Sequence, residues 1–336
     1  MKTVREFYED KFVDTLYKKN VDTGKKVVIP EGDEARVIKS LQYTPGFTKV
    51  LIGNPTEIEA LIDAEYEDYI PAKIKRWVEV IDIDQLGNLE GDDELLQIFV
   101  EKRKGKLTEE DARELMKQPN YYATLLLEAG RVDALVGGSR YSTADILKPA
   151  FQIIKTKPGH KVVSSVFLLR KGDKKAFFAD CAVNTNPNSE QLKEIAIQTV
   201  ETMEQLEVEP KVAMLTYSTK GSGAGPDVDL VTEAYNQLKS DRPDLDLIVD
   251  GELQFDAAFK PEVAKIKVSD SPVAGRANGF IFPNLAAGNI AAKVAEHMGG
   301  YEAIGPILQG LNKPVNDLSR GTTPETIAKV LLISLR

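Results

Sequence analysis

The residues best suited to chemistry lie near the end of the sequence, in a run rich in Gly, Pro, Asn and Asp that spans 305–321. Ser319 and Arg320 close this run, and a helical pattern begins at about Thr323. The start of a helix gathers free backbone N–H groups and the positive end of the helix dipole, and both favour phosphate. The planar guanidinium of an arginine can bind two phosphate oxygens at once. The run therefore predicts an anion site at Ser319 and Arg320.

A plainer interpretation exists for the same run. Asn316, Asp317 and Ser319 belong to residue types that commonly form turns and helix caps. Their joint occurrence with Arg320 favours a binding loop instead. We therefore predict substrate contacts from Asn316 and Asp317 as well.

Two other segments carry residues that could bind a substrate. In 101–106 the basic residues suit the C-terminal turn of a helix, where cations complement the dipole, although Arg103 could also reach into a cleft. In 137–149 a strand ends in glycines ahead of a new helix, and α/β sheets bind ligands beyond the carboxyl ends of their strands. The candidate substrate contacts in this second segment are Ser142, Thr143 and Lys148.

The elements that must hold these segments alternate between short apolar strands and longer amphipathic helices. This alternation predicts the α/β class, with a largely parallel sheet covered by helices. The predicted strands are 26–30, 49–53, 78–82, 134–138, 211–217, 245–250, 279–283 and 303–309. The clearest predicted helices are 93–102, 189–206 and 227–238, where apolar residues recur every three or four positions.

The length of 336 residues exceeds what one hydrophobic core usually supports, which favours two domains. Two apolar runs at 161–170 and 175–182, joined by Lys-Gly-Asp-Lys, interrupt the alternation and predict a β-hairpin. We take this hairpin as the start of the second domain. The expected boundaries are 1–157 with 309–336 for one α/β/α domain and 158–308 for the other.

Composition disfavours several other classes of protein. A net charge of −9 argues against broad binding to nucleic acid. Because no apolar run is long enough to span a bilayer and no secretory signal is visible, we expect no membrane contact and a cytoplasmic location. The single cysteine, Cys181, excludes an internal disulfide, and the two histidines, His160 and His297, lie far apart in the sequence. No metal site is expected.

Five segments carry a more specific pattern, and they occur in a fixed order along the chain. They are 178–184 (FADCAVN), 210–222 (PKVAMLTYSTKGS), 250–258 (DGELQFDAA), 273–278 (VAGRAN) and 314–321 (PVNDLSRG). These segments resemble those of the phosphate acetyltransferase (phosphotransacetylase) family, and the resemblance runs from 27–31 to the final helix.

The resemblance implies both an architecture and a reaction. Members of the family are homodimers whose subunits each have two α/β/α domains, of the kind seen in isocitrate and isopropylmalate dehydrogenases, with the active site in the cleft between them. The implied reaction is the reversible transfer of an acetyl group between phosphate and coenzyme A. Coenzyme A and acetyl phosphate are then substrates, and no cofactor is permanently bound.

The motifs of the family also assign roles to individual residues. The functional serine and arginine of the family fall on Ser319 and Arg320. Further substrate-binding arginines fall on Arg36 and Arg103.

The chain departs from the family pattern at two positions. Lys148 stands where the family has the arginine of a Leu-Arg-Pro motif. Thr326 stands seven residues after the motif serine, where family members carry an aspartate proposed as the base for the coenzyme A thiol. The adjacent Glu325 is kept as a candidate catalytic residue. An acidic residue in the first turn of a helix also complements the helix dipole, so both interpretations of Glu325 stay open.

Other functions fit parts of the same sequence. A phosphate butyryltransferase would use the same fold and chemistry on a longer acyl chain. A decarboxylating dehydrogenase would share the fold but would need a carboxylate cluster for a divalent metal and a nicotinamide site. Thr326 leaves a non-catalytic binding protein as a further alternative. Cys181 has no histidine nearby in sequence to activate it, so direct transfer in a ternary complex is favoured over an acylated cysteine.

Overall fold

The computed structural model describes residues 3–66 and 70–336 as a mixed α/β chain, which confirms the predicted class. The strands are β1 (Lys26–Ile29), β2 (Thr48–Gly53), β3 (Val78–Asp82), β4 (Ala134–Gly137), β5 (Ser164–Lys171), β6 (Lys174–Ala179), β7 (Val212–Leu215), β8 (Val249–Leu253), β9 (Gly279–Ile281), β10 (Glu302–Gln309) and β11 (Val315–Asp317).

The helices of the described residues alternate with these strands through most of the chain. They are α1 (Val4–Tyr8), α2 (Lys11–Asn20), α3 (Ala35–Ser40), α4 (Pro55–Glu65), α5 (Ile70–Lys75), α6 (Asp92–Lys102), α7 (Glu109–Met116), α8 (Pro119–Glu128), α9 (Thr143–Pro149), α10 (Ser189–Gln205), α11 (Pro226–Asp241), α12 (Phe255–Phe259), α13 (Pro261–Lys267), α14 (Leu285–His297) and α15 (Pro324–Ser334). Among the helices described, none has both the length and the apolar character needed to cross a bilayer.

The chain divides into two compact units, Met1–Lys157 with Leu311–Arg336 and Pro158–Gly310. In the first unit the strands lie in the order β3-β2-β1-β4-β11, and the pairings between them are parallel. Val27 and Ile29 are fully buried in β1, as expected for a parallel sheet that is covered by helices. Because the strands are parallel, the loops after β1, β4 and β11 all leave from the same edge of the sheet.

The last helix, α15, is a core element of the first unit. Thr323 caps its N-terminus by accepting a hydrogen bond from the Thr326 amide, and Pro324 occupies the first turn, where no N–H is needed. Every residue from Thr326 to Ser334 is buried, and α15 packs against α2, α3 and β4. This packing fixes the C-terminal end of the predicted binding loop.

In the second unit, β5 and β6 form an antiparallel hairpin across a turn at Gly172, whose φ of 59° is in the left-handed region that favours glycine. β10 pairs with β5 in the antiparallel sense, while β6, β9, β7 and β8 are linked by parallel pairings. Phe178, Phe280 and Phe282 pack together in the core beside this sheet.

Two strands differ from the sequence-based prediction. The strand predicted at 245–250 begins later, as β8, because Pro243–Leu245 forms a 3-10 turn. β8 contains Asp250 and Glu252, which are buried with hydrogen-bond partners, so its polar residues concealed the strand pattern. Part of the run predicted as a loop is β11, which pairs in parallel with β4.

Candidate active site

The loops after β1 and β4 in the first unit are joined by one buried carboxylate. Glu31, 1% exposed, follows β1 and accepts four backbone hydrogen bonds from the loop after β4. The donors are the amides of Gly138 at 2.8 Å, Ser139 at 3.1 Å, Arg140 at 2.5 Å and Tyr141 at 2.7 Å. Such a cluster of N–H groups is suited to binding an anion, and here the bound anion is the Glu31 carboxylate.

Thr143 and Asp317, two of the predicted substrate contacts, bind one another. The Thr143 hydroxyl donates a 2.6 Å hydrogen bond to Asp317 Oδ2, and Asp317 is only 1% exposed. Burial, reinforced by the Glu31 carboxylate, raises the pKa of Asp317 to about 7 despite hydrogen bonds from Thr143 and the Leu318 amide. A Cβ at Gly138 would lie 2.0 Å from Asp317 Oδ1, so the close approach of these two strand ends requires glycine.

The other two candidates near β4 lie at the two ends of α9. Ser142 caps this helix in a reciprocal pair with Asp145, whose backbone amide donates to the Ser142 hydroxyl at 3.3 Å. Hydrogen bonds from Ser142 lower the pKa of Asp145. Lys148 is exposed in the last turn of α9. Ser142 therefore has a structural role in the cap, while the Lys148 cation faces solvent.

The predicted anion loop lies between β11 and α15. Ser319 is half-buried and accepts a 2.8 Å hydrogen bond from the Thr322 amide through its carbonyl oxygen, which closes a turn. Arg320 is exposed, and its guanidinium makes no hydrogen bond or ion pair with any residue in 3–66 or 70–336. The loop therefore presents a solvent-facing arginine beside a serine hydroxyl, the arrangement that the sequence predicts.

Arg36 contacts the same loop from the first turn of α3. Its Nη1 donates to the carbonyl oxygens of Arg320 at 2.7 Å and Thr322 at 3.4 Å. Its Nη2 donates to the carbonyl oxygen of Ser139 at 2.9 Å, and its Nε donates to Glu34 at 2.8 Å. The structure thus brings Arg36 to the Ser319–Arg320 loop, but its guanidinium donates to protein acceptors.

Arg103 lies apart from these loops, just after α6. It is half-buried, and its charge acts on Tyr121 of α8, where burial raises the pKa of the phenol and Arg103 opposes that rise. No hydrogen bond or ion pair of the described residues links Arg103 to Ser319 or Arg320. The neighbouring Lys104 is an exposed lysine with a 3.8 Å ion pair to Glu101.

The first turn of α15 holds the residues considered for the base. Thr326 is 8% exposed, and its hydroxyl lies 3.1 Å from that of Thr323 in the helix cap. Glu325 accepts a 3.4 Å hydrogen bond from the phenol of Tyr43. Burial, followed by the Glu325 charge, raises the pKa of Tyr43 to about 12. Both residues therefore have structural contacts within the first unit.

Asn316 is buried in β11 and donates a 2.7 Å hydrogen bond to the Ser334 hydroxyl. This bond connects the strand to the end of α15. The amide thus has a partner within the protein, and a substrate contact from Asn316 stays a prediction.

Cys181 and the histidines lie in the second unit. Cys181 is fully buried, its thiol donates to the Phe178 carbonyl oxygen at 3.2 Å, and burial raises its pKa well above the usual range. This environment disfavours the thiolate that a covalent acyl carrier needs. His160 lies 3.4 Å from Glu194, and His297 is exposed at the end of α14. Within the described ranges, no group of three or more His, Cys, Asp and Glu side chains is arranged to hold a metal ion.

Sequence reasoning missed Glu31 as a site residue. It stands at the end of the 27–31 motif, directly after a buried strand. That position was the one feature of the sequence that could have marked Glu31 as a candidate. From the sequence alone, a glutamate at this position would be predicted to lie at the surface. Its burial becomes clear only from its four backbone partners, which are more than 100 residues away.

The first unit is thus an α/β unit with an exposed arginine in a loop at the carboxyl edge of a parallel sheet. The sequence matches the family described as "Phosphate acetyl/butaryl transferase" over residues 11–335. The chain belongs to this family.

Relatives in the family align with nearly the whole chain. The phosphate acetyltransferase of Bacillus subtilis (strain 168) is 43% identical over 323 residues, which cover 95% of this chain and 97% of that protein. The phosphate acetyltransferase of Staphylococcus aureus (strain Mu50) is 44% identical over 326 residues, covering 96% and 95%. A phosphotransacetylase structure from Streptococcus pyogenes superposes with a TM-score of 0.86 at 42% identity, covering 99% of this chain and 98% of that one.

Proposed function

We propose that the protein transfers an acetyl group between acetyl phosphate and coenzyme A by direct attack of the coenzyme A thiolate. The observation that carries the proposal is the exposed Arg320 guanidinium beside Ser319, in a loop held at the carboxyl edge of the first sheet. The high identity to phosphate acetyltransferases over the whole chain supports the choice of substrates.

The reaction exchanges one bond to the acetyl carbonyl carbon for another. The thiolate sulfur forms the thioester bond to that carbon, and the bond from the carbon to the phosphate oxygen breaks. The electron pair of that broken bond leaves with phosphate, while the thiol proton has passed to solvent or a base. No electrons are transferred to a third reactant, so coenzyme A enters as a substrate and a permanently bound cofactor is not needed.

The candidate residues serve these steps in different ways. Arg320 attracts the phosphate oxygens, and the Ser319 hydroxyl supports the negative charge that develops on the carbonyl oxygen. The exposed Lys148 and the half-buried Arg103 are proposed to bind further anionic groups of the substrates. The buried Asp317 and the half-buried Thr143 are hydrogen-bonded to one another at the same edge of the sheet.

The thiolate does not require a strong protein base in this proposal. An ordinary thiol with a pKa of about 8.5 is a few per cent ionised at neutral pH, and a nearby positive charge raises that fraction. Glu325 could assist, but its contact with Tyr43 and its place in the first turn of α15 also suit a structural role. We infer that solvent and the positive field of Arg320 supply most of the thiolate.

An assay with acetyl phosphate, butyryl phosphate and coenzyme A tests the proposal. We expect acetyl-CoA to form, with a lower kcat/KM for butyryl phosphate and an unchanged rate after EDTA treatment. A preference for butyryl phosphate would indicate a butyryltransferase. Strict dependence on a divalent ion would contradict the metal-free mechanism. Binding of coenzyme A without turnover would indicate a binding protein.

We also propose that the protein is a homodimer that uses α14. Ile290 and Val294 of α14 and Met298, directly after it, are spaced four residues apart and are 62%, 49% and 85% exposed, so they form an apolar stripe along one face of the helix and its C-terminal cap. A stripe of this kind is typical of an interaction surface. In a dimer with a two-fold axis at this surface, the stripes of the two copies would pack against each other and be buried.

The cytoplasmic location stays a prediction from the sequence.

The dimer can be tested by analytical ultracentrifugation. We expect Ile290→Glu to shift the protein from dimer to monomer, because a charge would be buried without a partner. Leu247→Glu is the matched control, since Leu247 is 72% exposed outside α14. A monomeric parent protein, or an equal effect of both variants, would contradict the use of α14.

A further inference from the structure

The Arg36 guanidinium is hydrogen-bonded to several acceptors of the first unit. Each of its three side-chain nitrogen atoms donates to the protein: Nε to Glu34, Nη1 to the carbonyl oxygens of Arg320 and Thr322, and Nη2 to that of Ser139. Its side chain is 29% exposed. A guanidinium has five N–H donors in a fixed plane, so several acceptors at once hold its orientation.

The acceptors of Arg36 belong to segments that are far apart in the sequence. Ser139 follows β4, and its own amide is bound by Glu31, so the peptide units on both sides of Ser139 are fixed. Arg320 and Thr322 lie between β11 and α15. Glu31 and Arg36 therefore form one continuous hydrogen-bonded connection from the loop after β1, through Ser139, to the backbone that carries Arg320.

The segment that carries Arg320 has little support of its own. Two local hydrogen bonds close its turn: the Thr322 amide donates to the Ser319 carbonyl oxygen at 2.8 Å, and the Gly321 amide donates to the Ser319 hydroxyl at 3.4 Å. Arg320 and Gly321 are exposed. The two carbonyl oxygens that follow Ser319 and face Arg36 receive charge-assisted hydrogen bonds, which are stronger than bonds from neutral donors.

We propose that Arg36 is a positioning residue, which holds the 319–322 backbone so that the Arg320 guanidinium stays aimed at the phosphate of the substrate. This inference rests on the proposed acetyl transfer. It replaces the role of substrate ligand that the family resemblance implies for Arg36. Catalysis requires reacting groups to be held to within about an ångström, so a freely moving loop lowers turnover even when its arginine is intact.

The two roles predict different kinetics for Arg36→Met. For a positioning residue, we expect kcat to fall about 10- to 100-fold. We also expect Arg36→Lys to lose nearly as much, because one ammonium cannot reproduce the fork that joins Ser139, Arg320 and Thr322. A substrate ligand would instead raise KM, with Arg36→Lys retaining much of the affinity.

A double-mutant cycle with Arg320→Ala makes the test sharper. If Arg36 acts through Arg320, then Arg36→Met should cost less than about threefold in the Arg320→Ala background. Arg131→Met is the matched control, because Arg131 also donates to a backbone carbonyl oxygen, that of Gly91 at 2.8 Å, and is 32% exposed. This control should leave kcat within about twofold of the parent enzyme.

Hydrogen–deuterium exchange provides a measurement that does not depend on activity. We expect the amides of 320–323 to exchange about tenfold faster in Arg36→Met and to be unchanged in Arg131→Met. Full additivity of the two substitutions, or unchanged exchange in 320–323, would overturn the positioning role. An inactive parent enzyme would contradict the proposed function instead, and the exchange result would still decide whether Arg36 holds the loop.

Discussion

Replacing Arg320 with alanine is expected to lower kcat/KM for acetyl transfer by about 30- to 1,000-fold. This range corresponds to a loss of roughly 2–4 kcal/mol in transition-state stabilisation, the usual result of removing one charged or hydrogen-bonding contact to a developing anion. The large effect is expected because the Arg320 guanidinium has no partner among the described residues and is therefore available to the phosphate. Steady-state kinetics with acetyl phosphate and coenzyme A give the ratio directly.

Lys104→Ala is the control for Arg320→Ala. Lys104 is also an exposed cation of the first unit, but it follows α6 and pairs only loosely with Glu101 at 3.8 Å. A solvated ion pair of this kind contributes on the order of a few tenths of a kcal/mol, so the substitution should change kcat/KM less than about twofold. Equal losses of kcat/KM in the two variants would contradict a direct contact between Arg320 and the substrate. They would indicate that the loss comes from the change in overall charge.

The sequence was sufficient to place Ser319 and Arg320 in a surface loop just before a helix, for physical reasons. The elements on either side of 318–323 are buried: Val315 in β11 and the apolar residues of α15 both belong to the core. A Ser-Arg-Gly triplet between two such elements has to be a surface loop near a helix start. Local patterns thus fixed the position of Ser319 and Arg320 without knowledge of any long-range contact.

The contacts that hold this loop could not be predicted in the same way. Arg36 is 284 residues from Arg320 in the chain, and Glu31 is 107 to 110 residues from the amides that it binds. Periodicity and spacing report on neighbours along one helix or strand. These patterns carry no information on which carbonyl oxygens will accept hydrogen bonds from a guanidinium that is distant in the chain. The sequence alone therefore cannot distinguish Arg36 from a substrate-binding arginine.

Buried polar residues caused the errors in the strand predictions. Asp250 and Glu252 lie in β8, and Asn316 and Asp317 lie in β11, and all four are at most 4% exposed. Prediction from hydrophobic periodicity requires apolar residues in a buried strand, so it assigns such segments to loops. Hydrogen bonds from Lys220 to Asp250 and from Asn316 to Ser334 are what allow these side chains to be buried.

The buried carboxyl of Asp317 makes the stability of the protein depend on pH in an unusual direction. Its pKa rises from 3.8 to about 7 on folding, mainly because of burial. Between these two pKa values the folded state holds a proton that the unfolded state has released, so the contribution of Asp317 becomes less favourable as pH rises. Each pKa unit corresponds to about 1.4 kcal/mol, so the full penalty above neutral pH is on the order of 4 kcal/mol.

Asp317→Asn should remove this penalty, because an amide has the shape of the neutral carboxyl, does not ionise, and can still accept from Thr143. We expect the free energy of unfolding of the variant, relative to the parent, to increase by about 4 kcal/mol between about pH 4 and about pH 8. Urea unfolding at the two pH values measures it. Asp173→Asn, in the exposed turn between β5 and β6, is the matched control for the change of residue type. A difference that is constant with pH would mean that Asp317 is ionised at neutral pH in the folded protein, with its charge stabilised by the Thr143 hydroxyl and the Leu318 amide.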